Sequence, residues 1–357
     1  MSQRMTLGYL GNHYGLAVQP RFCEPVTITS LSDDAHSVRP GALFVPSQTR
    51  VSAADIAMAQ SRGAYAMVLP QAQGTAASNI QIPLLLGSLD AKQIGQLASD
   101  VAGKPSESLA IFAIADSEGG KYVDKLAEFL HVLGNPVGVV SSEGSYSLDR
   151  PLELNYPISM FDMERLMSVC LEDGAAALVI AVNPQTLKPH ALQAVQVDVV
   201  SMVSPHSAST SVSAARAREA ADRAVKKGDK QADATQTVVI ASDDMKSEAM
   251  KSEAMKGDKD SQHDKRHDSA PGTNRSKIRQ AEQRRLEQIC TTYGLSITKN
   301  TKVAARTDES DSLSLQAGIS EDSESQRQLS LSISMTMAAG VRRNNIKSAI
   351  RVAKELS

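Results

Sequence analysis

The amino-acid sequence predicts an α/β protein in which helices flank mostly parallel sheets. The first observation is that short apolar runs, bounded by Gly and Pro, alternate with segments of helical spacing along residues 42–203. Such alternation is typical of parallel strands joined by helices. The second observation is that, of seven Tyr and five Phe, only Tyr293 follows Phe161. Because aromatic side chains supply much of a buried core, we expect a well-packed first half and a diluted second half.

The first hundred residues predict a small α/β domain. A turn at Pro40-Gly41 precedes the first apolar run, and Gly63 ends the first segment of helical spacing. The predicted elements are, in order, a strand at 42–45, a helix at 53–62, strands at 64–69 and 82–86, and a helix at 91–101. The stretch Gly103-Lys104-Pro105-Ser106 that follows is typical of a boundary. We therefore predict an N-terminal domain over residues 1–104.

The next block predicts a second, mostly parallel sheet, within a central domain over residues 105–357. A buried strand at 109–114 leads through a polar, glycine-containing turn into a helix that Gly134 and Pro136 end. The elements predicted here are strands at 109–114, 137–141, 177–182 and 195–203, and helices at 121–133 and 160–172. Strands that alternate with helices in this way predict a parallel sheet covered on its faces.

The character of the chain changes after Pro205. Residues 207–236 are of low complexity, rich in Ala, Ser, Lys and Arg, and a short strand is predicted at 238–240. Residues 245–256 read MKSEAMKSEAMK, and residues 257–277 are almost wholly polar. Such a tract buries too little apolar surface to offset its chain entropy, so we predict a disordered insert at 242–277. Beyond it, the patterns predict a helix at 277–290, a strand or helix start at 329–337 and a helix at 345–356.

Composition excludes several classes of protein. The 38 Lys and Arg nearly balance the 40 Asp and Glu, so nothing favours nucleic acid as a partner. The basic cluster between residues 275 and 285 has no aromatic residue for base stacking. The three cysteines form no zinc-ligand spacing, and no apolar run approaches the roughly 20 residues of a membrane helix. We expect a cytoplasmic protein without a signal peptide or membrane insertion.

The segment at 109–133 has the layout of a phosphate-binding loop. Such loops place glycine N–H groups, a helix N-terminus and a lysine around phosphate oxygens. Four residues are candidates for binding a nucleotide here: Ser117, Gly119, Gly120 and Lys121. Against this, Tyr122 stands where a magnesium-binding hydroxyl is needed, and Asp116 and Glu118 would repel a triphosphate. The segment is either a degenerate nucleotide site or a structural strand–helix turn.

The order of the motifs resembles that of the Mur ligases, in the branch that adds the third residue of the peptidoglycan stem peptide. Residues 34–46 read DAHSVRPGALFVP, which is similar to the family pattern DSR-x-V-x-x-G-x-L-F-V-A. Residues 105–122 read PSESLAIFAIADSEGGKY, which resembles the family junction that ends in G-T-N-G-K-T-T. The similarity continues in order at 177–203, at 239–244, which read VIASDD, and at 335–356.

The resemblance implies a role for each part of the chain and also marks losses. It implies that Ser32, Asp34 and His36 lie where the family contacts a UDP sugar, with His36 replacing an arginine. It implies an ATP and magnesium site in the central domain, but the metal-binding glutamate of the family falls on Ala181. The helix expected to carry a carbamylated lysine, at 214–225, contains no lysine. The third domain of the family, which brings the amino acid, has no counterpart before Ser357.

These losses favour a catalytically reduced, Mur-ligase-like protein without a catalytic residue, metal site or cofactor that we can assign. We expect it to bind a UDP-muramoyl precursor or a genuine cell-wall ligase. An alternative is a working ATP-dependent amide ligase in which Lys121 serves the phosphates, with ATP and magnesium as cofactors. A third hypothesis is a decaying gene product with no selected activity.

Overall fold

The computed structural model describes residues 5–46, 50–74, 80–115, 120–203, 271–319 and 323–356. The low-complexity stretch at 207–236, the strand predicted at 238–240 and residues 242–270 of the predicted insert lie outside these ranges. Contacts divide the chain into a unit formed by residues 1–208 and 281–357 and a second unit at 209–280. Of the second unit, the structure describes residues 271–280, which are helical.

A five-stranded sheet forms from the N-terminal residues. Its order is β1-β5-β4-β3-β2, and every neighbouring pair is parallel except β1 with β5. Its core contains Leu43, Val68 and Leu85 from three strands. The elements of this part are α1 (Leu7–Tyr14), β1 (Ala17–Gln19), β2 (Ser30–Ser32), β3 (Ala42–Phe44), α2 (Ala53–Ser61), β4 (Ala66–Leu69), α3 (Gln71–Gly74), β5 (Leu84–Leu86) and α4 (Ala91–Ala102).

A seven-stranded sheet forms from the residues that follow. Its order is β12-β11-β6-β10-β7-β8-β9, with β12 to β7 parallel and β8 and β9 added as an antiparallel hairpin. The elements up to residue 203 are β6 (Ala110–Ala115), α5 (Lys121–Val132), β7 (Val137–Val140), β8 (Ser145–Ser147), β9 (Arg150–Leu152), α6 (Met160–Glu172), β10 (Ala177–Ala181) and β11 (Val199–Met202). The strand predicted at 195–203 is therefore shorter than expected, although Val195 and Val197 are buried before it begins.

The C-terminal part contributes one edge strand and four helices. These elements are α7 (Pro271–Tyr293), β12 (Lys302–Ala304), α8 (Asp308–Leu315), α9 (Glu324–Ala338) and α10 (Arg343–Leu356). The ambiguous segment at 329–337 lies inside α9, and residues 271–277 of the predicted insert lie at the start of α7. None of the helices in the described ranges combines the length and apolar character that crossing a bilayer requires.

Helices cover both faces of the larger sheet because alternate residues of β6 point in opposite directions. Ile111 and Ala113 belong to a core that includes residues of α6 and α7. Phe112 and Ile114 belong to a second core, on the side of α5 and α9. The prediction of an α/β protein with mostly parallel sheets flanked by helices is confirmed.

Buried hydroxyl groups join α8 to α9, and this accounts for the many serines in the C-terminal part. The Ser310 and Ser330 hydroxyls lie 2.9 Å apart, and Ser330 also donates a hydrogen bond to Asp311. Asp311 in turn accepts a hydrogen bond of 2.9 Å from Nη2 of Arg306, and both of these side chains are largely buried. Polar side chains tolerate burial when they are hydrogen-bonded, so this polar segment packs as part of the protein interior.

Helix α6 links the two sheets. Its Phe161 packs into the core of the first sheet with Leu97 and Ala98 of α4, and the hydroxyl of Ser168 donates a 2.9 Å hydrogen bond to the carbonyl of Ala102. On the same helix, Glu164 is only 1% exposed. Neither of its carboxylate oxygens has a hydrogen-bond partner among the described residues. Burial raises the pKa of Glu164 to about 7, from an ordinary value of 4.5.

Replacement of this carboxyl group tests its burial. Between about pH 4.5 and pH 7 the folded protein holds a proton on Glu164 that the unfolded chain has released. The stability that protonated Glu164 contributes is therefore fully present below pH 4.5, the ordinary pKa, and is lost as the pH rises through about 7, the pKa in the folded protein. We expect Glu164→Gln to become more stable relative to the parent chain across this range, by about 3 kcal/mol in total. Urea denaturation at each pH measures the difference.

Glu172→Gln is the matched control, because Glu172 lies on the same helix and is exposed. Its stability relative to the parent chain should change little over the same pH range. A flat difference for Glu164→Gln as well would contradict the burial of its carboxyl group.

Candidate functional site

The carboxyl ends of the parallel strands define one edge of the larger sheet, where ligands of such folds bind. The loop between β6 and α5 leaves this edge. Of its four predicted nucleotide-binding residues, Ser117 and Gly119 lie outside the described ranges. Gly120 is described, and it immediately precedes α5. A Cβ atom at Gly120 would lie 2.6 Å from Oγ of Ser141, so a larger residue at this point of the loop would displace the Ser141 hydroxyl.

Lys121 and Tyr122 point to different surroundings. Nζ of Lys121 lies 3.4 Å from Oε1 of Glu324, with the two side chains 63% and 47% exposed. Tyr122 is buried and packs in the core that β6 shares with α5 and α9. The lysine is thus engaged by a carboxylate on α9, and the residue that stands in place of the metal-binding hydroxyl belongs to the core.

Two acidic side chains lie near the start of α5. A Cβ atom at Gly120 would lie 3.7 Å from Oε2 of Glu143. Asp124, in the first turn of α5, has a pKa above its ordinary range because of burial and, to a lesser extent, the charge of Glu143. Negative charge at this position opposes the favourable interaction between a helix N-terminus and a phosphate group.

Strand β10 lacks a metal-binding carboxylate at its end. Ala181 is fully buried and pairs in register with Ile114 of β6. In the turn that follows, Oδ1 of Asn183 accepts a 2.8 Å hydrogen bond from the backbone N–H of Thr186. Within the described ranges, no cluster of three or more His, Cys, Asp or Glu side chains is suited to a metal ion. These residues do not fit magnesium–ATP, and residues 204–206 and 214–225 lie outside the described ranges.

A second candidate site lies beside the first sheet. It is a polar cavity of about 220 Å³, lined by residues after β2 and β3, by the start of α2 and by Lys188 from the segment after β10. Five charged side chains line it: Asp33, Asp34, Arg50, Asp55 and Lys188. Carboxylates accept hydrogen bonds from hydroxyl and N–H groups, whereas Arg and Lys pair with anionic groups. The cavity therefore offers both kinds of partner to a polar, anionic ligand.

The three predicted sugar-binding residues take different places around this cavity. Asp34 lines it, and its Oδ1 accepts a 3.0 Å hydrogen bond from the backbone N–H of His36. Ser32 is buried, and its hydroxyl donates a 2.7 Å hydrogen bond to the carbonyl of Asp34. His36 is exposed and does not belong to the lining. Ser32 thus shapes the turn that presents Asp34, and sugar binding by these residues stays a prediction.

Sequence reasoning missed Asp33, Arg50, Asp55 and Lys188. Asp33 adjoins Asp34, so the acidic pair was a usable signal. Lys188 is far away in sequence and comes to the cavity only through packing of the segment after β10. Burial raises the pKa of Asp33, and the positive charge of Lys188 opposes this shift. The two side chains are therefore electrostatically coupled across the cavity.

The known proteins that the chain resembles include two ligases of the same name. No family model matches the chain. The chain is 33% identical over 121 residues to the UDP-N-acetylmuramoyl-L-alanyl-D-glutamate–2,6-diaminopimelate ligase of Pseudomonas syringae pv. tomato, a match that covers 33% of this chain and 25% of that protein. It is 26% identical over 180 residues to the ligase of the same name from Pseudomonas putida, covering 49% of this chain and 36% of that protein. The matches thus span between a quarter and just over a third of the length of these curated relatives.

The second crystal structure of MurF from Acinetobacter baumannii superposes with a TM-score of 0.46 at 11% identity, over 98% of this chain and 67% of that chain.

The coupling between Asp33 and Lys188 is testable. We expect Lys188→Met to raise the pKa of Asp33 further, because the variant loses the cation that favours the ionised carboxylate. An NMR titration of the aspartate carboxyl carbons measures the shift. Lys92→Met, at an exposed position on α4, is the control and should leave this titration unchanged. An unchanged pKa of Asp33 in Lys188→Met would show that the two side chains are not coupled.

Proposed function

We propose, on the premise that this chain is a member of the Mur ligase family, that it is a catalytically reduced member acting by binding. Its ligand in this proposal is a UDP-muramoyl precursor of peptidoglycan, or else a genuine cell-wall ligase. The observation that carries the proposal is the contrast between the two candidate sites. Among the described residues, the edge of the larger sheet offers no cluster suited to a metal ion, whereas the cavity beside the first sheet is polar and charged.

The residues at the carboxyl ends of the parallel strands support the proposal that the chain has lost phosphoryl transfer. Catalysis of that reaction depends on cations and metal-holding carboxylates around the transferring group. Here the position of the metal-binding glutamate is Ala181, in the interior of the sheet, and Glu143 and Asp124 place negative charge near the loop. Tyr122 contributes to the core.

The chemistry of the cavity supports binding of a nucleotide sugar. The hydroxyl groups of a UDP sugar and the N–H of its uracil are donors that match Asp33, Asp34 and Asp55. Its diphosphate matches Arg50 and Lys188, which line the same cavity. A cation and a carboxylate within one cavity suit a ligand that is both anionic and rich in hydrogen-bond donors.

Calorimetry with the purified chain tests the binding proposal. We expect saturable heat with a UDP-N-acetylmuramoyl peptide and none with millimolar ATP and magnesium. Arg50→Ala and Lys188→Met should each weaken sugar binding by about tenfold, the effect of losing one charge-assisted contact. Lys92→Met is the control and should bind normally.

Each other outcome has a defined meaning for the proposal. Heat only on titration with a purified diaminopimelate ligase would assign the protein partner in place of the small molecule. ATP-dependent ligation of an amino acid onto the precursor by this chain would refute catalytic reduction.

One observation favours the alternative of a working ATP-dependent amide ligase. The ion pair of Lys121 with Glu324 is exposed on both sides, and exposed pairs of this kind contribute little to stability. Breaking this ion pair therefore costs little free energy, and Lys121 can exchange Glu324 for a phosphate oxygen.

This alternative makes a distinct prediction for Lys121. It expects magnesium-dependent ATP binding that Lys121→Ala abolishes. Lys125→Ala is the matched control, since Lys125 lies one turn further along α5 in a similar pair with Glu128. Absence of ATP binding by the parent chain at millimolar concentration would reject the alternative.

A further inference from the structure

A second cavity, of about 250 Å³, lies where α4 and α6 meet β2. Its apolar wall comes from all three elements and consists of Leu31, Ala98, Val101, Ala102 and Phe161. No residue of this lining also lines the polar cavity around Asp33. An apolar cavity of roughly 150 Å³ is large enough to hold a benzene molecule, so this one has room for a small organic ligand.

Glu164 is the lining residue whose carboxylate lacks a hydrogen-bond donor among the residues that the structure describes. It is buried, and both of its carboxylate oxygens lack a hydrogen-bond partner among the described residues. It is the only carboxylate of the described ranges with both oxygens in this condition. An ionised carboxylate that is buried without a partner is strongly destabilised, and a cation supplied from outside would relieve this cost.

The charges around the cavity leave Glu164 uncompensated. The charged side chains that line it are Glu164, Arg165 and Glu172, all on α6, whereas α4 and β2 contribute none. Arg165 donates its hydrogen bond to Asp162, on the exposed side of the helix. Glu172 is an exposed carboxylate. The lining therefore carries a net negative charge, and Glu164 is the buried one of its two carboxylates.

Two of the three hydroxyl groups in the lining, those of Ser168 and Thr29, are engaged elsewhere, and the third belongs to Ser30. The hydroxyl of Ser168 donates to the carbonyl of Ala102, and the hydroxyl of Thr29 donates to the carbonyl of Gly41, at 3.3 Å. A ligand that enters the cavity thus meets apolar surface, the side chain of Ser30 and, once the side chain of Glu164 turns toward it, a carboxyl group that lacks donors.

We propose that this cavity binds a small primary amine, whose ammonium group pairs with Glu164 and whose apolar body packs against Phe161 and the alanines of α4. An ammonium group carries three donors, and its hydrogen bonds to a carboxylate are about twice as strong as those between neutral groups. The carboxylate oxygens have almost no accessible surface, so binding requires the side chain of Glu164 to turn toward the cavity. The apolar body of the ligand adds the burial of hydrocarbon surface.

The test compares two probes of the same shape, benzylamine and benzyl alcohol, by calorimetry and by amide shifts in NMR spectra at about pH 8, where benzylamine is largely protonated and Glu164 is ionised. We expect benzylamine to bind at millimolar concentration or better, with shifts clustered at residues 29–31, 98–102 and 161–168. Benzyl alcohol should bind at least about tenfold more weakly.

Two variants separate the role of Glu164 from a general effect of charge. Glu164→Gln keeps the shape of the side chain and removes its charge, so it should lose the preference for benzylamine over benzyl alcohol. Glu172→Gln removes an exposed carboxylate from the same lining and should keep that preference. Thermal unfolding of both variants, followed by circular dichroism, verifies that each is folded.

The proposal fails if benzylamine shows no saturable binding at millimolar concentration. It fails equally if benzylamine and benzyl alcohol bind the parent chain alike, or if Glu164→Gln retains the preference. Amide shifts confined to other parts of the protein would also overturn it.

Discussion

The parallel pairing of β6 with β10 on one side and β11 on the other is the constraint on which the rest of the structure depends. It brings Ala115, Ala181 and Met202 to the same edge of the sheet, so the loops that leave these strands meet there. It also buries both faces of β6, which requires helices on each side. This one arrangement produces the two cores on either face of the larger sheet and the edge at the carboxyl ends of its strands.

The protein buries polar groups in two different ways. Between α8 and α9, hydroxyl groups, Asp311 and Arg306 are joined by hydrogen bonds, so their burial is compensated. At Glu164 the carboxyl group is buried without such partners, and burial shifts its pKa toward neutrality. The first arrangement specifies how two helices pack. In the second, the buried carboxyl group is most stable when it holds a proton or lies beside a cation.

The contrast between the two candidate sites is the basis of the proposal that the protein binds a ligand and does not transfer a phosphoryl group. At the edge of the larger sheet, the core residues Ala181 and Tyr122 stand at positions that the resemblance assigns to metal binding, and the carboxylate of Glu143 lies near the loop. Beside the first sheet, cations and carboxylates line one cavity. Gly120 keeps the start of α5 clear of the Ser141 hydroxyl, which is a structural reason for a glycine there that does not depend on a phosphate.

The sequence by itself determined the α/β class and the positions of most elements, because apolar periodicity and glycine stops are local properties of the chain. The helix at Met160–Glu172 matches its prediction at both ends. The segment at 329–337 stayed ambiguous because its apolar residues alternate with serines, whose buried hydroxyls find hydrogen-bond partners only in the fold. Resemblance led to Ser32 and Asp34 but not to Arg50 or Lys188, which join Asp34 only when distant segments pack together. Tertiary structure alone decided that Glu164 is buried. Helix α6 packs one apolar face against the larger sheet. The face that carries Glu164 is covered only because α4 and β2 pack against it.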